Sequence, residues 1–582
     1  MSYSYQDEDD EGAAAQPTVR YEGEDTSPTT TRELNGWYAY PIAAEVFAVV
    51  AVGAFLPVVL EQLARENGHF FSDRSKPCVE HTGSVRVRAD NGTTDGQKEQ
   101  CMIRLLGKDL STSSFSLYTF SAAVLVQAIV LVLFSSFADH GPYRKKMLMI
   151  CAYTGSIVSM LFIFISPSIY YLAPVLVVLG VTSLGFSFVL LNAFLPLLVA
   201  NHPSDSDLKS FNSESSTSLD QELESFNPNG DSGVRRANPE KLAKDLKRSA
   251  VISSKGVGYG YIAAVFVQVI AIGILFGFSK TDFGKAHPTV SMRVILFVVG
   301  LWWAIFTIPT FLWLRPRPGT PLPTDRDHSH GKPPTKLKRF FYYLTFSLGS
   351  FWTTLRRAIR LRQTLLFLIS WFLLSDAVAT ISGTAVLFAR TELHMSTIAI
   401  ALLSITSIGS GIIGAFIWPR IAARFSLQAK TVLLLCVAGM EIIPLYGLLG
   451  FVPAFQRLGF IGLQKAWEIY PIAVMHGVVM GGISSYARSV YAPLIPEGSE
   501  ASFFALYAVT DKGSSAFGPA LVGYIVDHAG SIRPAFIFLA VLVVLPAPLL
   551  WMLNVEKGRE DARVMADREV VGRGSYERVG GD

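Results

Sequence analysis

The feature that most constrains this chain is a run of about 20 apolar residues that recurs along nearly its whole length. As a helix, such a run crosses the roughly 30 Å hydrocarbon core of a bilayer while satisfying its own backbone hydrogen bonds. The sequence therefore predicts an all-α membrane protein. Composition agrees, since 50% of the 582 residues are hydrophobic, only 16% are charged and the mean hydropathy is +0.38. A soluble domain carries roughly a quarter charged residues. The net charge of +4 is small for this length and leaves no basis for nucleic-acid binding. The first 30 residues are acidic and rich in Ser and Thr, without an apolar h-region, so the first span is expected to serve as its own insertion signal.

Spans are expected near Tyr38 to Leu60, Phe115 to Phe137, Met147 to Ser166, Ile169 to Ala200, Val257 to Phe278 and Val294 to Leu314. A second set lies near Leu365 to Ala389, Thr397 to Trp418, Thr431 to Phe451, Tyr470 to Pro493, Phe503 to Val526 and Pro534 to Leu553. The pattern divides the chain into a cytosolic tail over 1–36, a six-helix bundle over 37–314, a linker over 315–363, a second six-helix bundle over 364–554 and a tail over 555–582. Within the linker, "FFYYLTFSLGSFWTTL" is short and flanked by "KLKR" and "RRAIRLR". It reads as an interfacial amphipathic helix and not as a thirteenth span.

Lysine and arginine set the orientation. Arg144, Lys145, Lys146, Arg420 and Arg424 fall in loops that become cytosolic when both termini are cytosolic, and the linker is densely basic. Of the short loops on the other side, those between spans three and four and between spans seven and eight hold only Arg390, at the edge of span seven. The loop over 61–112 then lies on the lumenal side; it is long enough to cross regardless of its arginines. It carries Cys78 and Cys101, a candidate disulfide, and Asn91-Gly-Thr93, a candidate glycosylation site. Cys151 and Cys436 fall within spans and read as packing residues. The acidic loop within 201–250 is expected to be disordered and cytosolic, and the tail after Asn554 is similar in character. His328 and His330 in "HSH" sit in the linker and read as solvent-exposed.

The two halves repeat each other weakly. "SSKGVGYG" opens span five and "TDKGSSAFG" opens span eleven, which pairs Lys255-Gly256 with Lys512-Gly513. "LNAFLPLL" and "SVYAPLIP" pair Asn192 with Ser489 and Pro196 with Pro493, and spans one and seven each set a tryptophan before a carboxylate, Trp37 with Glu45 and Trp371 with Asp376. Parallel repeats with a cavity between them are expected. "ADHGPYRKK" between spans two and three resembles the acid, glycine and basic cluster of major facilitator superfamily transporters. Asp139 and Arg144 are accordingly candidate gating residues, while Lys145 and Lys146 read as topology determinants.

A broader resemblance rests on "GWYAYPIAAEVFAVVAVGAFLPVVLEQLARENG", "FADHGPYRKKML", "LLFLISWFLLSDAVATI" and "YARSVYAPLIPEGSEASFFALYAVTDKGSSAFGPALVGYIVDHAGSIRPAFIFL". These stretches resemble the fungal autophagy-related protein 22 family, vacuolar amino-acid effluxers of the major facilitator superfamily. The resemblance implies that superfamily's fold, with twelve transmembrane helices in two six-helix repeats. It also implies a vacuolar membrane location and export of leucine-like and aromatic amino acids to the cytosol after autophagic proteolysis. The acidic loop and the lumenal insertion do not match a compact family core, so regulatory detail does not carry over.

A charge near the bilayer centre is costly unless it faces a cavity or a partner. Glu45, Asp376, Arg488, Asp511, Lys512 and Lys255, with Asn192 and Tyr486, are therefore the candidate substrate or proton site. A zwitterionic amino acid needs a carboxylate for its ammonium group and a cation or helix N-terminus for its carboxylate. Glu45 and Asp376, on matching spans, are expected to form the acidic side. Alternatives stay open: Arg488 and Asp511 neutralise each other, the lysines snorkel, and the carboxylates hold neighbouring helices. Glu441, on span nine, reads as a local hydrogen-bonded group, and Gly477-x-x-x-Gly481 as a helix-packing motif.

The expected partners are amino-acid substrates, the lipid bilayer and, as a candidate, protons; a monomer without cofactor or metal is expected. No P-loop, metal-ligand cluster or nucleophile and base pair is visible, which argues against a pump or an enzyme. A transporter of amino acids, a transporter of another solute such as a sugar or peptide, and a receptor or scaffold on a transporter fold remain as readings.

Overall fold

The computed structural model describes residues 25–70, 77–78, 101–105, 108–202, 239–319, 336–393, 395, 397–514, 517–529 and 532–579. Among these, eleven helices are long and apolar enough to cross a membrane. The twelfth crossing is span eleven, which is built from two shorter segments, Glu500–Ser514 and Phe517–Ala529.

Span one runs through Thr31–Arg65. It is capped by the Thr30 hydroxyl, which accepts from the Glu33 amide at 3.2 Å, and it widens into a π-helix over Phe47–Phe55 downstream of Pro41. Spans two to six are Thr112–Ala138, Tyr143–Leu161, Ala173–Ala200, Pro239–Ser279 and Pro288–Trp313. Spans seven to ten are Arg362–Thr391, Thr397–Arg424, Ala429–Leu449 and Ile469–Tyr491, and span twelve is Ala535–Met552.

Spans one to six pack mainly on one another, as do spans seven to twelve, and the bundles meet where span five lies against spans eight and ten and the first segment of span eleven against spans two and four. Water contributes no hydrophobic drive between helices inside a bilayer, so close packing and hydrogen bonds hold them. Gly481 shows the packing: a Cβ there would lie 2.3 Å from the Gly411 carbonyl oxygen of span eight. Tryptophan supplies the hydrogen bonds, since the indoles of Trp37, Trp302 and Trp418 donate to the carbonyls of Leu191, Ile42 and Val478 at 3.0, 2.9 and 3.0 Å.

One face of the molecule carries the starts of spans one and seven and the ends of spans four, six and twelve; it is called the terminal face below. Beside it lie two further helices. Lys336–Arg360 packs on span two through Ser136 to Ser350 at 2.6 Å and Phe137 against Phe346 at 5.8 Å, and leaves Leu348 and Trp352 exposed. Val555–Val579, expected from sequence as a polar tail, is helical, and Arg559 pairs with Asp245 at 3.2 Å. Residues 239–250, expected within a disordered loop, are also helical, as the first turns of span five.

The opposite face carries a small antiparallel sheet of β1 (His69–Phe70), β2 (Cys101–Leu105) and β3 (Lys108–Ser111) in that order, with Cys78 bonded to Cys101. Asn91, His328, His330 and most of the acidic loop lie outside the described residues.

Candidate functional site

The charged residues of the spans divide into three groups. The first lies at the junction between the bundles. Arg488, near the end of span ten, reaches across to span four, where its Nη1 donates to Asn192 Oδ1 at 3.0 Å, while its Nε donates to the Ser484 carbonyl at 3.1 Å. Glu45 of span one and Tyr261 of span five act electrostatically on the same guanidinium, as does Tyr507 of span eleven. Tyr261 also approaches Ser484 at 3.5 Å. The Glu45 side chain stands over Gly260, whose missing Cβ would come within 3.1 Å of it, so the glycine lets span five run close under the carboxylate. Glu45, Asn192 and Tyr261 thus come from one bundle, Ser484, Arg488 and Tyr507 from the other. Behind Arg488 an aromatic stack of Phe367, Tyr491, Tyr507 and Trp371 joins spans seven, ten and eleven. Arg488 has two of its five donors engaged by Asn192 and Ser484.

The second group is span eleven and its break. Asp376, expected beside Glu45, is buried and accepts the Gly518 amide at 3.0 Å, so it caps the second segment of span eleven. The physical reason is that a helix restarting inside the membrane has amide groups that no water can satisfy. Asp511, in the last turn of the first segment, holds Ser375 of span seven, whose hydroxyl donates to the Asp511 carboxylate at 2.5 Å and lies 3.0 Å from its carbonyl oxygen. Tyr507 is acted on by the charges of both Asp511 and Arg488. Tyr486 is buried in the core on the side of span ten that faces Cys436 of span nine, not the bundle junction. Lys255 is exposed on the stripe of span five that continues through Tyr259, Ile262 and Phe266. The side chain of Lys512 lies outside the described residues.

The third group is a latch at the terminal face. Asp139 Oδ1 accepts the Ala501 amide at 2.7 Å, and Oδ2 accepts the Ser502 amide at 2.9 Å and its hydroxyl at 2.7 Å. Arg144 bridges Asp139 and Glu500 at 3.3 and 3.1 Å with both partners almost fully buried. A carboxylate at the N-terminus of span eleven meets the positive end of that helix, so the latch ties the loop after span two to the opposite bundle. Burial pushes the Asp139 carboxyl up to about 6, Arg144 opposes the rise and Glu500 adds to it. Beside the latch Lys145 donates to the Phe311 carbonyl at 2.7 Å, at the end of span six.

A family model described as "Vacuole effluxer Atg22 like" matches residues 29–563. Autophagy-related protein 22-1 of Phaeosphaeria nodorum is 71% identical over 576 residues, 99% of either chain, and autophagy-related protein 22-2 of Emericella nidulans is 50% identical over 564 residues, 94% of either chain. The chain belongs to the vacuole effluxer Atg22-like family. Its fold is that of the major facilitator superfamily. The transporter FucP in its outward conformation aligns with a TM-score of 0.52 at 11% identity, covering 90% of this chain and 98% of FucP. The human organic anion transporter MFSD10 aligns with a TM-score of 0.51 at 13% identity, covering 89% of this chain and 99% of that one.

This Atg22-like chain also holds functional groups that the sequence did not disclose. Glu500 and Ser502 complete the latch, and "PEGSEASFF" does carry a readable signal, a serine and an acid at a helix start. Arg317 forms a buried pair with Glu33 at 2.8 Å and also holds the Asp25 and Ser27 carbonyls, strapping residues 25–29 across the terminal face. Nothing in the local sequence of Arg317 marks it, because its partners lie almost the whole first bundle away.

Proposed function

We propose that this protein is a secondary transporter of the vacuolar membrane that exports amino acids, leucine-like and aromatic ones among them, from the lumen to the cytosol by alternating access. The supporting observation is the opposition of Glu45 and Arg488 across the bundle junction. A carboxylate suited to an ammonium group and a guanidinium suited to a carboxylate, supplied by different bundles, match the two ends of an amino-acid zwitterion. Rocking of one bundle against the other separates the two groups, so binding and release follow the same motion.

The terminal face is the cytosolic one. Arg144, Lys145, Arg420 and Arg424 cluster there, as cytosolic loops require, and the disulfide on the other face suits an oxidising lumen. With the latch made, the cytosolic side is closed and substrate enters from the lumen.

The test is the vacuolar amino-acid pool of nitrogen-starved cells lacking the protein. Leucine, isoleucine, valine and tyrosine are expected to accumulate in isolated vacuoles, and re-expression of the wild-type chain is expected to release them. Unchanged pools in cells without a redundant exporter would instead support the receptor or scaffold reading.

A further inference from the structure

Span ten carries a histidine that the substrate site does not use. His476 is held from both sides, with Nε2 at 3.1 Å from the Ser382 hydroxyl of span seven and Nδ1 at 3.0 Å from the Ser407 hydroxyl of span eight. We propose that His476, clamped between Ser382 and Ser407, is a proton-binding site that couples proton movement to transport. The coupling rests on the transport reading above; the proton site itself does not.

The Ser382 hydroxyl also lies 2.9 Å from the Val378 carbonyl, and with its hydrogen placed there it accepts from His476. In that arrangement Nε2 carries the ring hydrogen, and the bare Nδ1 accepts the hydroxyl of Ser407. A second proton goes to Nδ1. The Ser407 hydroxyl then turns its hydrogen away and presents a lone pair, so both ring N–H groups keep an acceptor and no helix has to move for the imidazolium to form. A lysine or an amide N–H in place of Ser407 would forbid that state.

The placement joins the ring to the moving parts. Ser382 lies seven residues, about 10.5 Å, along span seven from Ser375, the residue that holds Asp511. His476 and Arg488 are both on span ten, about 18 Å apart along its axis, with His476 towards the sheet-bearing end. A proton entering from that side reaches His476 before the Arg488 group.

Surrounding charges are few. Span eight contributes no charged side chain before Arg420 at its far end, and Asp376 of span seven is turned to Gly518. Span five presents Tyr261, bonded towards Ser484, and the exposed Lys255. Span nine presents Glu441, expected from sequence to be hydrogen-bonded, whose buried Oε2 has no hydrogen-bond partner among the described residues. None of these is a salt-bridge partner of His476 among the described residues, so the ring's polar contacts there are the two serines.

The experiment uses the full chain in lipid vesicles. With histidine isotopically labelled, the infrared or NMR difference between wild type and His476→Gln is expected to contain one imidazole that gains a proton as pH falls from about 8 to about 3. No such titration overturns the proposal, whatever the transport data show. With labelled leucine as the probe, His476→Gln is expected to keep leucine exchange at equal pH within about threefold and to lose about tenfold or more of the flux driven by a pH gradient. Ser407→Ala is expected to shift the pH profile of that driven flux while leaving exchange in place. Gradient-driven flux that persists in His476→Gln overturns the coupling, and so does a parallel loss of exchange and driven flux, which marks the ring as a structural tie. A wild-type protein that moves no leucine while the imidazole still titrates overturns the amino-acid reading and spares the proton site.

Discussion

At the scale of single residues, one carboxylate of the expected pair meets the cation and the other does not. Glu45 stands within electrostatic reach of Arg488, whereas Asp376 caps the restart of span eleven. A sequence shows that a carboxylate lies in an apolar span and that it needs a partner, but not which partner, because a cavity and a broken helix satisfy it equally well. A signal for the break was present in "DKGSSAFGP", where glycines and a proline bracket Phe517. The two roles predict different losses. Arg488→Lys keeps the charge but removes the planar fork, and is expected to lower amino-acid exchange about tenfold with normal protein abundance. Asp376→Asn is expected to leave the apparent substrate affinity within about twofold and to cost about 1 kcal/mol of stability, read as a lower melting temperature in detergent. A raised KM without loss of stability in Asp376→Asn would return that residue to the substrate site.

At the scale of elements, apolar run lengths carry most of the information, since a helix must satisfy its backbone wherever lipid surrounds it. They fail where a helix continues in polar company. Span five begins at Pro239 and the last helix runs over Val555–Val579, both through charged sequence, because contacts such as Arg559 with Asp245 support them from outside the span. The latch is a partnership of this kind: half of it was legible in "ADHGPYRKK", and the half from Glu500 to Ser502 is brought in by the second bundle. Asp139→Asn removes a charge that accepts two backbone amides and a hydroxyl, and is expected to cost the closed state about 1–3 kcal/mol. Thiol labelling of Ser484→Cys from the cytosolic side is expected to accelerate correspondingly in the Asp139→Asn background. An unchanged labelling rate would show that the latch does not hold that side closed.

At the scale of the whole molecule, two bundles of six crossings place opposite charges on opposite sides of one junction. That arrangement joins residues 443 positions apart, Glu45 and Arg488, which no local pattern relates. The topology makes its own prediction: Arg420→Cys is expected to label from the cytosol, and Trp467→Cys only after the vacuolar membrane is opened. Labelling in the reverse order would invert the chain and make the latch a lumenal gate. The most direct measurement is exchange of labelled for unlabelled leucine across vesicles containing the purified chain, wild type beside Glu45→Gln. Leucine exchange by wild type, with a loss of about tenfold or more in Glu45→Gln, is the predicted result. Exchange by Glu45→Gln at the wild-type rate, or a wild-type chain that exchanges a sugar and not leucine, would contradict the zwitterion site.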